Sequence, residues 1–331
     1  MTSSTPGATP SDHTPSDGTP SDGTPSDGTP SDGTEQLPAP AGLDEVKGWF
    51  FAADQLLFDW LLTRQKGLAE AGDLLEVGAY LGKSAIFTGS YLRPGERFTV
   101  CDLFDAPADD SANGAEMAKS YSTLTRRAFE ANYLSFHDEL PTVLQGLSSM
   151  VPGQVADGSC RFVHVDASHL YEHVHADIAT ARAALKPYGV VVLDDFRAEH
   201  CPGVAAAAWQ AVTSGGLHVL CITGTKLYGT WGDPTALRTE LAAWLATRKD
   251  LWHGEESVAG EPLIRISGKK AQLPPQPVSR HRAPSRTATA RTAGPGTAPR
   301  SHPPLHRFAA NVLPPFLTRA AASARRRGQG R

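Results

Sequence analysis

Short apolar runs alternate with longer runs of helical spacing from about residue 43 to residue 248. The short runs are bounded by glycine, proline or acidic residues, which is typical of buried strands. Seven strands are predicted, at Leu74–Val77, Phe98–Cys101, Thr142–Gln145, Phe162–Val165, Val190–Leu193, Leu217–Ile222 and Lys226–Gly229. Most are separated by enough residues for a helix, as parallel neighbours require.

Between these strands, apolar residues recur at intervals of three and four, which predicts helices. The helices are expected at Lys83–Tyr91, Thr123–Tyr133, His169–Leu185, Val204–Val212 and Thr235–Arg248, with one or two more within residues 43–62, before the first strand. The alternation predicts an α/β fold with a doubly wound, mostly parallel, seven-stranded sheet. In such a fold the ligand site lies at the carboxyl ends of the strands.

The two ends of the chain lack this patterning. Residues 1–42 contain five copies of a Thr-Pro-Ser-Asp-Gly unit, the first ending in histidine, and almost no aliphatic or aromatic side chains. Residues 268–331 are rich in proline, alanine and arginine. Both segments bury too little apolar surface to offset the entropy of ordering, so we predict two disordered tails around one domain at 43–267. Within that domain, polar residues 105–120 predict a lid, an insertion or disorder.

Charge is distributed unevenly along the chain. The net charge is −4, yet residues 268–331 hold thirteen Lys and Arg and no Asp or Glu, leaving 18 basic against 35 acidic residues elsewhere. An acidic body argues against a nucleic-acid-binding core, and we expect no sequence-specific nucleic-acid partner. The basic C-terminal tail could contact polyanions.

The four cysteines are far apart in sequence and form no C-x-x-C pair. In a chain of 331 residues, this spacing indicates reduced thiols and a cytoplasmic protein instead of a disulfide framework. The N-terminus lacks the pattern of a signal peptide. No apolar run approaches the ~18 residues that span a bilayer, so no transmembrane segment is predicted.

The first stretch with candidate chemistry is L-L-E-V-G-A-Y-L-G-K-S at residues 74–84. Three residues separate Gly78 from Gly82, one too few for a phosphate-binding P-loop, and the dinucleotide fingerprint G-x-G-x-x-G also fails. What remains is a glutamate before a glycine turn, with Asp102 ending the next strand. This arrangement suits S-adenosylmethionine, with Glu76 at its amino-acid end and Asp102 on the ribose hydroxyls. A generic α/β turn with Glu76 capping a helix is the alternative.

A second acidic constellation follows two later strands. V-D-A-S-H places Asp166 after the fourth predicted strand, and V-V-L-D-D-F places Asp194 and Asp195 after the fifth. Strand ends on one sheet edge converge, and clustered carboxylates repel one another unless a cation joins them. Mg²⁺ binds such oxygens, so these three residues predict a magnesium site that would orient an acceptor hydroxyl. Helix-capping aspartates are the alternative.

Together these motifs, with C-D-L-F-D and L-K-P-Y-G, resemble those of class I S-adenosylmethionine-dependent methyltransferases. Within that superfamily they are similar to the branch of macrocin-type and novobiocin-pathway O-methyltransferases and cephalosporin-hydroxylase-like proteins. The resemblance covers about residues 43–235. It implies methyl transfer to an oxygen of a small-molecule acceptor, such as a sugar or secondary metabolite, with Asp166, Asp194 and Asp195 holding Mg²⁺.

The resemblance also implies roles for individual residues. The cofactor-binding set would be Glu76, Gly78, Tyr80, Gly82, Ser84, Asp102, Ser148 and Asp166. Where some relatives carry an acidic base, this chain has Ser168, so His169 is our candidate general base, with Asp166 beside it as the second catalytic residue. His164 is expected to be a packing or surface histidine. Homo-oligomerisation is left open.

Two other functions remain open at this point. His169-Leu-Tyr-Glu172-His173 matches the inverted zinc-peptidase pattern H-x-x-E-H, in which two histidines one helical turn apart bind Zn²⁺. That function would leave the strand-end aspartates unexplained. Alternatively, the chain could be a non-catalytic interaction protein that keeps the fold and acts through its tails.

Overall fold

A nine-stranded sheet runs through the computed structural model, which describes residues 37–106 and 124–283. The strands are β1 (Asp73–Val77), β2 (Phe98–Asp102), β3 (Thr142–Gln145), β4 (Cys160–Val165), β5 (Leu185–Leu193), β6 (His218–Ile222), β7 (Leu227–Thr230), β8 (Trp252–Val258) and β9 (Glu261–Ser267). Their spatial order is β3-β2-β1-β4-β5-β7-β6-β9-β8. The first five strands in this order are parallel, and β7 is antiparallel to both β5 and β6. The predicted doubly wound, mostly parallel α/β fold is confirmed.

Strands β8 and β9 are additional to the seven predicted. They form an antiparallel hairpin joined through Ala259 and Gly260, both with positive φ, and β9 pairs in parallel with β6. Most residues of β8 are exposed, and its sequence W-H-G-E-E-S-V has little apolar alternation. Sequence patterning therefore had no signal for this outer strand.

The described helices lie in two layers, one on each face of the sheet. They are α1 (Ala52–Gly67), α2 (Lys83–Gly89), α3 (Arg126–Leu134), α4 (Tyr171–Ala184), α5 (Pro202–Thr213) and α6 (Thr235–Ala246), with a 3₁₀ turn at Leu43–Glu45. Helices α1, α2, α3 and α6 contribute buried side chains to one core, and α4 and α5 contribute to the other. The predicted helical segment before the first strand is thus a 3₁₀ turn followed by α1.

The register of the sheet brings one residue from each central strand to a common edge. Val77 pairs with Val165, and Val165 pairs with Leu193. The residues that follow these three positions are Gly78, Asp166 and Asp194, so they lie side by side where the parallel strands end. The antiparallel β7 starts at the same edge because Leu227 pairs with Leu193. Lys226, the residue before β7, is therefore opposite Asp194.

The described chain continues beyond residue 267 without regular secondary structure, yet it is packed. Ser279 is 4% exposed and its hydroxyl donates to the carbonyl of Pro40 at 2.6 Å. The Arg280 amide donates to the Ser135 carbonyl at 2.8 Å. The domain limits at 43 and 267 stay a prediction. The repeats before residue 37, the rest of the 105–120 loop beyond 106 and the tail from 284 lie outside the described residues.

None of the described helices is both long enough and apolar enough to cross a membrane. The four cysteines all lie in the described part of the chain, where each is buried and none is in a disulfide bond. They therefore form no disulfide framework, as their spacing predicted.

One buried ion pair ties α1 and the β1–β2 region to β4. Arg161 on β4 is 1% exposed and its guanidinium donates to both carboxylate oxygens of Glu96, at 3.0 and 2.9 Å. It also donates to Gln65 of α1 at 2.9 Å and to the Tyr91 carbonyl at 2.8 Å. Burial alone would raise the pKa of Glu96, but hydrogen bonds from Arg161 and Arg93 lower it to about 2. The stability this pair contributes is therefore present above the ordinary carboxyl pKa and is lost as pH falls towards 2.

Replacing Arg161 with leucine should lower the free energy of unfolding by about 3–5 kcal/mol, because it leaves the Glu96 carboxylate buried without its partner. Urea denaturation followed by circular dichroism would measure the change. Arg97→Leu is the matched control, because the side chain of Arg97 is 71% exposed in its pair with Asp73. That variant should lose no more than ~1 kcal/mol. Equal losses in the two variants would contradict this account of Arg161.

Candidate active site

The loop from Gly78 to Gly82, between β1 and α2, is held by the carboxylate of Asp102. Its Oδ2 accepts hydrogen bonds from the amides of Ala79 at 2.6 Å and Tyr80 at 2.9 Å, and Oδ1 accepts one from Phe104 at 2.7 Å. Burial raises the pKa of Asp102 above its ordinary value, although these amides oppose the shift. A carboxylate offers about four lone-pair positions, so Oδ1 keeps one for a ligand hydroxyl.

Both glycines of this loop are needed for contacts within the protein. Gly78 has φ +84° and Gly82 has φ +92°, a region that other residues rarely adopt. A Cβ at Gly78 would overlap the carbonyl oxygen of Asp166, and one at Gly82 would lie 3.1 Å from the ring of Phe129. Gly78 thus lets the ends of β1 and β4 come together, and its place in the cofactor-binding set stays a prediction.

Glu76, on β1, is fully buried and only partly satisfied. Its Oε1 accepts hydrogen bonds from the hydroxyl of Ser84 and from Nδ1 of His164, the latter at 3.0 Å. Its Oε2 has no hydrogen-bond partner among the described residues, which is unusual for a buried oxygen. Burial raises the pKa of Glu76 to about 8. A buried oxygen without a partner, two residues before the glycine loop, fits the cationic amino group of a ligand.

A buried lysine connects Glu76 to the strand-end carboxylates. Nζ of Lys226, a residue 1% exposed, donates to Oδ2 of Asp194 and to Nε2 of His164, the latter at 3.0 Å. Although burial would lower it, Asp194 and Asp166 raise the pKa of Lys226, so the ammonium is retained. Burial and Lys226 together lower the pKa of His164 well below its ordinary value, so this imidazole is neutral. Because Nε2 accepts from the ammonium, the ring proton is on Nδ1 and is donated to Glu76.

Asp166 and Asp194 form a carboxyl pair at the ends of β4 and β5. Burial, followed by the charge of Asp194, raises the pKa of Asp166 well above its ordinary value. Asp166 therefore holds a proton more readily than an ordinary aspartate, and its side chain is hydrogen-bonded to that of Asp194. The remaining negative charge, on Asp194, is compensated by Lys226.

His169 and Asp195 form a second pair at the same edge. Nε2 of His169 lies 3.4 Å from Oδ2 of Asp195. Burial alone would raise the pKa of Asp195, but the hydrogen bond and charge of His169 lower it, so Asp195 stays ionised. Asp195 has φ +53°, a rare conformation for a residue with a side chain, and its amide donates to Oδ1 of Asp194 at 2.8 Å. An imidazole oriented by a carboxylate is the usual arrangement of a general base.

Glu76, His164, Lys226 and Asp194 form a buried polar row. Helix α1 covers this polar row and adds another carboxylate. Asp54 is 1% exposed and accepts hydrogen bonds at 2.8 Å from the hydroxyls of Tyr228 and Thr223. Burial raises the pKa of Asp54 to about 6. The ring of Phe58 packs edge-on against His164 at 5.3 Å. Phe58 therefore packs in the core and shields the polar row from solvent.

Two predicted cofactor-binding residues lie further from this row. Ser148, in the 3₁₀ turn Ser148–Met150, hydrogen-bonds to the side chain of Asp177. Tyr80 has φ +50° and its ring stacks on Trp49 at 5.8 Å. Trp49 is 39% exposed, so the pair forms an accessible aromatic surface beside the glycine loop. The roles assigned to Ser148 and Tyr80 stay predictions.

The structure brings together most of the residues singled out from sequence, and it adds two. His164 was expected to be a packing or surface histidine and is instead part of the buried polar row, and Lys226 was given no role. A signal for Lys226 existed, because T-G-T-K at residues 223–226 resembles a hairpin turn. Using that signal would have required knowing that β7 pairs with β5 and starts opposite Asp194.

The metal prediction can be tested against these positions. Among the described residues, two groups of three side chains place potential ligand atoms within 4.8 Å of one another, His164/Asp166/Asp194 and His169/His200/Cys201. The first lacks Asp195 and includes an imidazole, although Mg²⁺ prefers six oxygen ligands. The ammonium of Lys226 also contacts two members of that group, Asp194 and His164. The side chains as they lie therefore do not fit the predicted Mg²⁺ site.

The zinc-peptidase alternative requires two histidines on one helical turn. Helix α4 begins at Tyr171, so His169 precedes it and the predicted start of this helix was two residues early. His173 bonds to the hydroxyl of Ser168 at 3.0 Å and belongs to neither potential ligand group in the described part of the chain. The structure therefore gives this alternative no support.

Comparisons with solved structures find similar folds at low sequence identity. The chain is similar to the O-methyltransferase NovP, at 17% identity over 54% of this chain and 79% of that one, with a TM-score of 0.44. It is also similar to the calicheamicin methyltransferase CalS11, at 19% identity over 55% and 79% of the two chains, with a TM-score of 0.40. For TomG of Streptomyces achromogenes, an O-methyltransferase, identity is 16% over 54% and 80%, with a TM-score of 0.34.

No curated protein matches the chain. A family model described as a methyltransferase domain matches residues 75–196. This range begins in β1 and ends one residue after Asp195, so it contains the glycine loop, Asp102 and the strand ends that carry Asp166 and Asp194. Residues 75–196 therefore match a methyltransferase domain, in agreement with the resemblance that the motifs indicated.

Proposed function

We propose that this enzyme methylates an oxygen of a small-molecule acceptor, a sugar or other secondary metabolite, with His169 as general base. The observation that carries the proposal is the pairing of His169 with Asp195 at the strand edge that also holds the glycine loop. A neutral hydroxyl is a weak nucleophile, so methyl transfer to oxygen benefits from a base at this position.

The cofactor-binding side of the proposal uses residues with unfilled hydrogen-bonding capacity. Glu76 would accept from the amino group of S-adenosylmethionine through Oε2, which has no partner among the described residues. Asp102 would accept from a ribose hydroxyl through the remaining position on Oδ1, while its other contacts hold the loop. Ser84 supports Glu76 from the first turn of α2.

When bound, S-adenosylmethionine supplies an activated methyl group on a sulfonium. His169 would accept the proton of the acceptor hydroxyl as that oxygen takes the methyl group from the sulfonium. Asp195 stabilises the imidazolium that results, and S-adenosylhomocysteine and the methyl ether leave. Asp166, whose pKa is raised by burial and by Asp194, would in its protonated form donate a hydrogen bond to the acceptor side instead of acting as a second base.

No step of this proposal uses Mg²⁺. Magnesium assistance through Asp166, Asp194 and Asp195, predicted from the motifs, stays the alternative to a metal-free site. We also propose a cytoplasmic location, in keeping with four buried cysteines that form no disulfide bond. A small-molecule acceptor is the partner that this site favours.

Asp102→Ala should weaken binding of S-adenosylhomocysteine by about 10- to 150-fold, since it removes the ribose acceptor and the anchor of the loop. Isothermal titration calorimetry would measure the dissociation constants. Asp73→Ala is the matched control, because Asp73 begins β1 at the opposite end of the sheet, and it should bind like the wild type. Absence of binding by the wild type would refute the proposed function. Unchanged binding in Asp102→Ala would refute only the role of Asp102.

Binding of S-adenosylhomocysteine near pH 7 should release a proton. The pKa of Glu76 is about 8, so the carboxyl is largely protonated at pH 7, and pairing with an ammonium group requires the ionised form. Affinity should accordingly rise with pH up to about 8. Titrations in two buffers of different ionisation enthalpy would count the protons. Glu76→Gln should show no such release, and identical heats in both buffers for the wild type would contradict the assignment.

His169→Gln should lower kcat by about 10²–10⁴-fold with little change in KM or in S-adenosylhomocysteine binding, because it removes the base and leaves the pocket. Formation of S-adenosylhomocysteine, with an acceptor identified from a panel of sugars and phenols, would measure the rate. His253→Gln, on the exposed strand β8, should retain wild-type rates. Full activity in His169→Gln would remove this residue from the mechanism.

A further inference from the structure

The buried carboxyl cluster at the ends of β4 and β5 already contains a cation. Nζ of Lys226 contacts Oδ2 of Asp194 and lies 3.0 Å from Nε2 of His164. It therefore lies against two of the three side chains that form one of the two potential metal-ligand groups in the described residues, His164, Asp166 and Asp194. We propose that the ammonium of Lys226 is the resident cation of this cluster and takes the place of a divalent metal ion.

Backbone pairing between β5 and β7 also fixes this arrangement. Val191, Val192 and Leu193 of β5 pair with Gly229, Tyr228 and Leu227 of β7. The Phe196 amide also donates to the Thr225 carbonyl at 3.2 Å, so the two chains stay adjacent on both sides of the Asp194–Lys226 position. A side chain anchored opposite Asp194 and 1% exposed has little freedom to leave the cluster.

The chemistry of the cluster disfavours simultaneous occupation by a metal ion. A divalent cation bound to Asp194 would lie within a few ångströms of an ammonium in a buried site, where like charges repel strongly. His164 could not serve as a ligand through Nε2 either, because that nitrogen accepts from Lys226. Lysine and metal are therefore mutually exclusive occupants.

The lysine also fixes the tautomer of His164, which a hydrated metal ion would not do. By donating to Nε2 it keeps the His164 proton on Nδ1, from which it is donated to Oε1 of Glu76. Lys226 thus acts as a positioning residue that links the acceptor-side carboxyls to the cofactor-side glutamate. Glu76, held on Oε1 by His164 and Ser84, presents Oε2 as its remaining acceptor.

The test measures binding of Mn²⁺, a paramagnetic stand-in for Mg²⁺, to the full-length protein after treatment with chelator. Electron paramagnetic resonance of free Mn²⁺ reports how much of the ion is bound. The wild type and Asp194→Asn should bind the same amount, because no ion in the wild type is held by Asp194. Lys226→Met, which removes the charge and shortens the side chain by one heavy atom, should bind one Mn²⁺ ion, at least ~10-fold more tightly than any ion binds to the wild type. Adding Asp194→Asn to that variant should abolish the binding.

Lys66→Met is the matched control, since Lys66 is exposed in the last turn of α1, and it should behave as the wild type. The proposal is overturned if the wild type binds Mn²⁺ in a manner that Asp194→Asn removes. It is also overturned if folded Lys226→Met binds no more Mn²⁺ than Lys66→Met. If Lys226→Met does not fold, the comparison of the wild type with Asp194→Asn still tests the proposal.

The Mn²⁺ measurement does not depend on the proposed function. The inferred effect of Lys226 on Glu76 does rest on that function, in which Glu76 binds the cofactor. Failure to bind S-adenosylhomocysteine would refute the proposed function and leave the Mn²⁺ result readable. Binding of Mn²⁺ at Asp194 in the wild type would refute the resident lysine and leave cofactor binding intact. The two failures are therefore distinguishable.

Discussion

The polar interior of this enzyme depends on one ion pair between neighbouring antiparallel strands. Asp194 at the end of β5 and Lys226 at the start of β7 meet because Leu193 and Leu227 pair in the sheet. Without the ammonium, a carboxylate would be buried with no compensating charge, which costs several kcal/mol. Around this pair, burial and the neighbouring charges raise the pKa of Asp166 and lower that of His164, so the uncharged form of each is favoured. Protein groups therefore compensate the charge that the motifs had assigned to a metal.

Much of the fold could be predicted because parallel strands produce strong local patterns. Apolar runs ending in Asp102, Asp166 and Asp194 indicate strand ends at one edge, and the structure places all three there. Two kinds of feature gave no comparable signal. Lys226 arrives at the edge through a hairpin, so its neighbour depends on a pairing between distant segments. Strand β8 is mostly exposed, so it lacks the apolar alternation on which strand prediction depends.

The glycine loop shows a second limit of inference from motifs. Asp102 was predicted to bind ribose, yet three of its hydrogen bonds hold the backbone amides of Ala79, Tyr80 and Phe104. Gly78 was predicted to belong to the cofactor-binding set, and in the structure its missing side chain makes room for the carbonyl of Asp166. A motif specifies which residue types meet at a turn, but it does not distinguish a protein atom from a ligand atom as the partner. In this loop, protein atoms occupy much of the space and many of the hydrogen-bonding positions that the motif offers. A ligand would use the remaining positions.

The added hairpin has a consequence for assembly. Strand β9 covers β6, so the free edge of the sheet passes to β8. This edge carries two adjacent glutamates, Glu255 and Glu256, and one arginine on β9, Arg265, already pairs with Glu256 at 3.1 Å. Two copies joined antiparallel through β8 would bring four carboxylates together along a narrow ribbon, and charged edges of this kind resist strand addition. Pairing of two copies of the chain through β8 is therefore disfavoured.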